Sequence, residues 1–168
     1  WSDRTATFMV LGERCTRACG FCLVDTRKPE LPEHDEPARI GEAITRMGLL
    51  HAVLTMVARD DLVDGGMRHV ADCVTAIRKA SPLTRVETLI SDVKGTDYLD
   101  ILLAVKPDVL NHNIETVARH QRAVRPSAGY ARSLSVLARA KQADLTAKSG
   151  IIVGMGETLK EVEGTLID

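Results

Sequence analysis

The chain has 168 residues, 45% of them apolar and 27% charged, with a formal net charge of −1 at neutral pH. That is one domain of ordinary size with enough apolar mass for a core, and its charge gives no general electrostatic case for nucleic acid or an anionic membrane surface. No apolar run approaches the ~20 residues of a membrane helix, and "WSDRTATFMV" lacks the build of a signal peptide. The expected setting is an aqueous, reducing compartment, the cytoplasm or an organelle matrix, where cysteines bind metal or do chemistry more often than they form structural disulfides.

In chain order, 5–11 reads as a strand, followed by a loop holding "CTRACGFC". Residues 37–47 read as a helix, with Glu36 just before a first-turn proline. "HAVLTMV" (51–57) is a short apolar run and so a buried strand. From 67 to 79, Met67, Val70, Val74 and Ile77 recur at helical spacing, and Pro82 marks the stop. "RVETLIS" (85–91) is a strand, 98–105 a short helix and "DVLNHNIE" (108–115) a strand. Residues 130–143 form a helix with Leu134, Leu137 and Lys141 on one side. "AKSGIIVGM" (147–155) is a strand, and a last helix begins near Leu159.

Five βα units in strict alternation imply parallel strands with right-handed crossovers. By the period-two rule Asn111, Asn113 and Glu115 share one face of their strand, as do Glu87, Leu89 and Ser91 of theirs. A sheet covered by helices on both sides makes such a polar row costly to bury; a barrel with a polar lumen does not. The expected fold class is therefore α/β, a partial (β/α) barrel, with functional residues at the C-terminal strand ends. The chain does not start with methionine and its last residues stop partway through a helix, so residues 1–168 are expected to be one core domain incomplete at both ends.

Three of the four cysteines, Cys15, Cys19 and Cys22, follow the first strand directly. Inert buried thiols do not suit a loop that also carries Arg14 and Arg17, a disulfide would strand the third thiol, and structural zinc needs a fourth ligand from elsewhere. Cys73 lies on the packed face of its helix and reads as core. None of the five histidines sits at ligand spacing from the triplet, and His112 reads as a packed or supporting side chain. An iron–sulfur cluster on three thiolates leaves one iron open to bind something, whereas a full set of four serves electron transfer. Arg14 and Arg17 are expected to lower thiolate pKa and offset cluster charge.

"CTRACGFC", with Phe21 at its aromatic position, resembles the signature of the radical S-adenosylmethionine (SAM) enzymes. "GIIVGMGE" is similar to that family's fifth-strand adenine contact, at Gly150, Ile152, Gly154 and Glu157. The blocks "ATFMVLGERCTRACGFCLVDTRKP", "TMVARDDLVDGG", "VETLISDVKG", "VLNHNIETVARHQRAVRP" and "KSGIIVGMGET" resemble, in order, those of the lipoyl synthases. The resemblance implies that Cys15, Cys19 and Cys22 hold a 4Fe-4S cluster whose open iron chelates SAM. It implies that the backbone at Phe21 lies near adenine and that Asn113 and Glu115 face the ribose or amino end. Arg125 is suited to the carboxylate, and Arg59, Asp60 and Asp61 to the methionine amino group.

The same resemblance implies reductive cleavage of SAM to a 5′-deoxyadenosyl radical and sulfur insertion at C6 and C8 of an octanoyl group. That group rides on a lysine of a lipoyl carrier domain, and a ferredoxin- or flavodoxin-type reductant supplies the electron. Lipoyl synthases also carry a second cysteine triplet and a C-terminal serine for an auxiliary 4Fe-4S cluster, the sulfur source; neither is in this sequence, so these residues alone are expected to bind the first cluster and not to complete sulfur insertion. The fifth strand is expected to leave an unpaired edge. Two alternatives stay open: another radical SAM enzyme using only the first cluster, and a non-catalytic metal-binding scaffold.

Overall fold

A computed structural model describes residues 3–94 and 96–168; Gly95, the last residue of the "VETLISDVKG" block, lies outside the described residues. Five strands form one sheet: β1 (Thr5–Val10), β2 (His51–Met56), β3 (Arg85–Leu89), β4 (Val109–Asn111) and β5 (Thr146–Lys148). All neighbours are parallel, and the order is β1-β2-β3-β4-β5. A doubly wound sheet reverses its order at a switch point. This one never does, so each crossover returns the chain on the same side, which is the winding of a partial (β/α) barrel. No described helix is long and apolar enough to cross a membrane.

The helices are α1 (Glu36–Met47), α2 (Met67–Ala80), α3 (Leu99–Ala104), α4 (Gln121–Val124), α5 (Tyr130–Gln142) and α6 (Leu159–Ile167). Pro37 supplies a preset φ in the first turn of α1. Gly48 ends that helix in the left-handed region, at φ 59°, its N–H reaching the carbonyls of Ile44 and Thr45. Glycine takes that conformation without a Cβ penalty. Ile40 and Ile44 of α1 and Val70, Cys73, Val74 and Ile77 of α2 are buried against Ala52, Leu54 and Val86 on the outer face of the sheet. A Cβ on Gly41 would stand 3.1 Å from the Ala76 carbonyl oxygen, so the residue lets α1 and α2 cross closely.

The inner face is of the opposite character. Thr5, Thr7 and Met9 of β1 are exposed there. Deeper in, Glu87 accepts from Asn111 Nδ2 at 3.1 Å and Lys148 Nζ at 2.8 Å, and His51 Nε2 lies 3.3 Å from its other oxygen. Burial pushes the Glu87 carboxyl up, but Lys148 and Asn111 outweigh it and hold the group below its usual range. Glu87 and Asn111 of the predicted polar row thus face the lumen and bond each other, while Asn111 Oδ1 is buried without a partner.

The lengths of two predicted strands need correction. The strands predicted over 108–115 and 147–155 keep only three ladder residues each, β4 and β5. Beyond Asn111 the pairing narrows: Ile114 and Glu115 N–H both donate to the Gly150 carbonyl, and Glu115 adopts φ 68°. Leu134, Leu137 and Lys141 do share one side of α5, and the packed side is the neighbouring one. Ser133, Val136 and Ala140 are buried, while Leu134, Leu137 and Lys141 line an open groove beside β5. Apolar spacing marks a stripe, and here two stripes one residue apart compete. Among the described residues β5 pairs only with β4, which leaves the expected free edge, and all three of its residues are exposed.

Candidate metal centre

β1 ends at Val10, and two left-handed residues, Leu11 (φ 69°) and Gly12 (φ 84°), turn the chain over the C-terminal rim of the sheet. The loop that follows is closed on itself where Cys15 N–H donates to Asp25 O at 2.8 Å. All four cysteines are free thiols, with Cys15 and Cys19 half-buried and Cys22 exposed. The three loop thiols border one cavity of about 280 Å³, together with Met9, Phe21, Leu89, Asn113, Glu115 and Arg125. Burial pushes the Cys19 thiol up, Arg125 pulls it down, and the neighbouring Cys15 and Cys22 push it up again. Cys73 lies apart in the core, its thiol pushed up to about 12 by burial.

The two loop arginines play different parts, and of the two it is Arg17 that pulls on the Cys19 thiol as expected. Arg14 pairs with Asp25 and Glu30 on the outer side. Arg17 turns inward, is 6% exposed, and forks onto Asp60 with Nε and Nη2 at 2.8 Å each. Its Nη1 donates to Asp92. Buried Asp92 and half-buried Asp60 pair with it, and the guanidinium also borders the thiol cavity and adds to the downward pull on the Cys19 thiol. Burial alone pushes the Asp92 carboxyl up, but Arg17, the Gly129 N–H and Arg132 hold it below its usual range.

Arg59, Asp60 and Asp61 are not among the residues that line the cavity, whose border here is formed by Thr55 and Met56 of β2 and by Val57 and Ala58 just after it. Arg59 is fully buried as a strut: Nε and Nη2 hold Asp61 at 2.9 Å each, Nη1 donates to Leu11 O at 3.0 Å and Nη2 to Glu30 O at 2.8 Å. Asp60 is taken by Arg17 and by Lys94 at 2.9 Å.

The facing wall comes from the chain after β4 and the end of α4, backed by the segment after β5. Glu115 keeps its left-handed backbone, a strained state for a residue with a side chain. Burial pushes its carboxyl up, partly offset by a hydrogen bond from Asn113 and by Arg125. Arg125 donates from Nη1 to Ile114 O at 2.9 Å and borders the cavity. A Cβ on Gly150 would meet Asn113 Oδ1 at 2.9 Å, so glycine leaves that amide its place. Ile152 joins this wall through its N–H, which donates to Glu115 O at 2.8 Å. Gly154 (φ 99°) and Glu157 stand farther out and shape a turn, the Glu157 carboxylate accepting from Gly154 and Met155 N–H.

Sequence reasoning missed Asp92, the junction of this rim; its signal was an acidic residue directly after a strand, at the end where α/β sites form. His112 was expected to pack, and does: it is 1% exposed, and its Nδ1–H donates to Ile90 O at 2.8 Å. Its Nε2 is buried without a partner, and the ring borders the cavity.

Among the described residues no three His, Cys, Asp or Glu side chains come together tightly enough to grip a single metal ion. A multi-iron cluster makes a different demand, since each thiolate takes its own iron. Three free thiols spaced round one cavity fit that group better than mononuclear zinc. A second cleft outside the loop is lined by Glu30, Glu33 and Glu36, but these already pair with Arg14, Arg39 and His69.

Comparison with known proteins agrees with this geometry. Residues 9–167 match the family model described as the Radical SAM superfamily. Lipoyl synthases of Chlorobaculum parvum and Chlorobaculum tepidum are each 52% identical across the whole chain, which covers 59% of either protein. That of Mycobacterium ulcerans is 48% identical, with 52% of it covered. The chain thus spans between half and three-fifths of the length of these relatives. The FeFe-hydrogenase maturase HydG of Carboxydothermus hydrogenoformans superposes with a TM-score of 0.77 at 19% identity, covering 96% of this chain and 39% of that one. Methylornithine synthase gives a TM-score of 0.73 at 15% identity, covering 96% of this chain and 48% of that one. At these identities the two structures speak for the fold.

Proposed function

The chain belongs to the radical SAM superfamily, and from that premise we propose that it performs lipoyl-synthase chemistry, inserting sulfur into an octanoyl group carried on a lysine of a lipoyl carrier domain. One observation carries the reading: Cys15, Cys19 and Cys22 border a single cavity at the end of β1 in a chain half identical to lipoyl synthases.

In this reading the three thiolates hold a 4Fe-4S cluster and leave one iron for SAM. When bound, the pair supplies a carbon radical able to take hydrogen from unactivated C–H bonds. The protein's own work is to bind, orient and exclude water. Arg125 offers its guanidinium to the SAM carboxylate, as a planar fork suits that group. Asn113 and Glu115 bond the ribose or amino end, and Gly150 keeps Asn113 in place for it. Phe21 flanks adenine through its backbone, with Ile152 and Gly154 along the same rim and Glu157 holding their turn. Met9, Val57 and Leu89 give the cavity an apolar side against which the alkyl chain packs and from which water is displaced. Arg59, Asp60 and Asp61 hold the rim together and do not touch the cosubstrate. The exposed stretch from Phe21 to Leu23 is the approach for a ferredoxin- or flavodoxin-type reductant. The one cysteine outside the triplet, Cys73, is buried, so these residues supply ligands for one cluster only, and the auxiliary sulfur-donating cluster is held by other residues. The compartment is the cytoplasm or an organelle matrix.

The test is anaerobic reconstitution with iron and sulfide, then incubation with SAM, a reductant and a carrier domain bearing a perdeuterated octanoyl group. Deuterium is expected in the 5′-deoxyadenosine formed, with none formed by Cys19→Ala and normal formation by Cys73→Ala. 5′-Deoxyadenosine without deuterium would point to another substrate within the superfamily. Stoichiometric zinc without iron would point to a scaffold.

A further inference from the structure

The cysteine loop is not held evenly along its length. Between Cys15 and Cys19 it is fastened to three other elements. Thr16 N–H and Thr16 Oγ1 both donate to Ala58 O, at 3.0 and 2.9 Å, and Asp60 N–H returns a bond to Thr16 Oγ1 at 2.9 Å. Arg17 forks onto Asp60 and reaches Asp92. Asp92, fully buried, uses its other oxygen to accept from Gly129 N–H at 3.0 Å and Arg132 Nε at 2.8 Å, so the same carboxylate grips α5. Gly20 N–H donates to Val124 O at 2.8 Å and ties the loop to α4. Past that point the support thins until Val24, which packs against the core, and Asp25, whose carbonyl accepts from Cys15 N–H. Cys22 N–H bonds only within the loop, to Cys19 O, and Leu23 is fully exposed.

We infer that Arg17 is the positioning residue of the metal centre, fixing the backbone between Cys15 and Cys19 to the ends of β2 and β3 so that two thiols are set before metal arrives and the third closes last. Arg17 acts through geometry. Its guanidinium is paired with two carboxylates at the edge of the cavity, and its side chain does not need to touch the metal. Lysine at this position keeps the charge but loses the planar fork that reaches both partners at once. The inference rests on the proposed cluster role of the three cysteines, and its test separates the two.

The full chain is prepared without iron. In the wild type, exchange of the Thr16 and Gly20 amides is expected to be at least about tenfold slower than that of Leu23, since slow exchange marks backbone that rarely opens. Iodoacetamide labelling, read thiol by thiol by mass spectrometry, is then compared between wild type, Arg17→Lys and Arg17→Gln. Cys15 and Cys19 are expected to label about tenfold faster in Arg17→Lys, with Cys22 changing less than about twofold and Cys73 remaining protected. After reconstitution, the visible absorbance titrated against iron is expected to show about tenfold weaker uptake, the scale seen when an outer support of a metal site is lost. Arg17→Lys retains a cation opposite Asp92, so it stays informative if Arg17→Gln fails to fold. Labelling rates equal to wild type in Arg17→Lys, or even protection along the wild-type loop, overturn the inference. Faster labelling with unchanged iron uptake overturns it as well. Loosened thiols in a protein that takes up no iron in any form uphold the clamp and instead strike the cluster reading.

Discussion

The two walls of the cavity are built to different standards. On one side β1, β2 and β3 pair over six and five residues and are backed by α1 and α2, whose apolar stripes interlock with the sheet to make most of the core. On the other, β4 and β5 share three paired residues, and α6 leaves Leu159, Leu166 and Ile167 exposed. The cysteines stand on the first wall, while Asn113, Glu115 and Arg125 form the second, with Gly150 close against Asn113. The difference teaches a division of labour. Thiols that must present a fixed constellation sit on the stiff side, and groups that surround a small cosubstrate sit where bonds are fewer and local opening is easier.

Asp92 joins the walls, and breaking it gives the largest expected effect. It answers Arg17 from the cysteine loop and Gly129 and Arg132 from α5. Removing one member of a buried charge network leaves the others unpaired, at about 3–5 kcal/mol. Asp92→Ala is therefore expected to lower the urea midpoint by that equivalent, and a loss below about 1 kcal/mol would mean that the walls are joined by other means. Next in size, Ile77→Ala empties the centre of the stiff wall, where the side chain is fully buried. It is expected to cost about 3 kcal/mol, within the range for buried isoleucine. Leu166→Ala on α6 removes a side chain that is 73% exposed. Its cost is expected to stay within about 0.5 kcal/mol, the usual bound for a surface substitution. Equal costs would erase the distinction between the walls.

His112 lies at the seam, its ring bonded across to the residue after β3. A carbonyl can only accept, so Nδ1 carries the proton and the buried Nε2 is bare. Burial, more than any charge nearby, pushes its pKa down to about 4 from the ordinary 6.5. Between those values the unfolded chain takes a proton that the folded one refuses. The contribution is complete above pH 6.5 and is lost as pH falls toward 4, about 3 kcal/mol in all. Asp60 and Asp92, held below their usual range, weaken only at still lower pH. Chemical denaturation of the cluster-free chain at pH 7, 6, 5 and 4 should show this decline, and His112→Gln should flatten it. A slope unchanged by that substitution would place the acid sensitivity elsewhere.

How far the sequence could be read follows the same division. On the stiff wall, apolar spacing in α1, α2 and β2 is regular because the side chains face one continuous core, so the predicted bounds of these elements fall within a residue of the observed ones. Winding order and polar lumen were legible from Asn111 and Glu87, since a barrel is the way to satisfy such a row. β4 and β5 came out too long, because "VLNHNIE" and "GIIVGM" keep strand-like composition after the ladder has stopped; the hydrogen bonds that stop it come from Gly150 O and the turned backbone of Glu115, and no residue type announces either. The thiol triplet was legible from spacing alone. The partners of Arg14, Arg17 and Arg59 were not, because an arginine near a site looks alike in sequence whether it faces a ligand or a carboxylate. Those of Arg17 lie tens of residues away at Asp60 and Asp92.

The smallest expected effect puts the same substitution on both walls. A Cβ at Gly20 would lie 3.8 Å from Val124 O, an ordinary contact. Gly20→Ala is therefore expected to change stability by less than about 0.5 kcal/mol. A Cβ at Gly150 would lie 2.9 Å from Asn113 Oδ1 and 3.3 Å from its Cγ. Both are atoms of a side chain that can swing aside, so the cost in folding is about 1 kcal/mol, the low end for overpacking. The larger consequence is where Asn113 must go. Turned away from Gly150, it loses its place beside Glu115 on the cavity wall. Equilibrium dialysis of SAM against the reconstituted chain is then expected to show about tenfold weaker binding for Gly150→Ala, equivalent to about 1.4 kcal/mol, and unchanged binding for Gly20→Ala. If Gly150→Ala binds SAM as the wild type does, Asn113 is a lumen residue with no part in holding the cosubstrate. If Gly20→Ala is the variant that suffers, the cysteine side holds the nucleoside as well as the metal, and the proposed division between the walls fails.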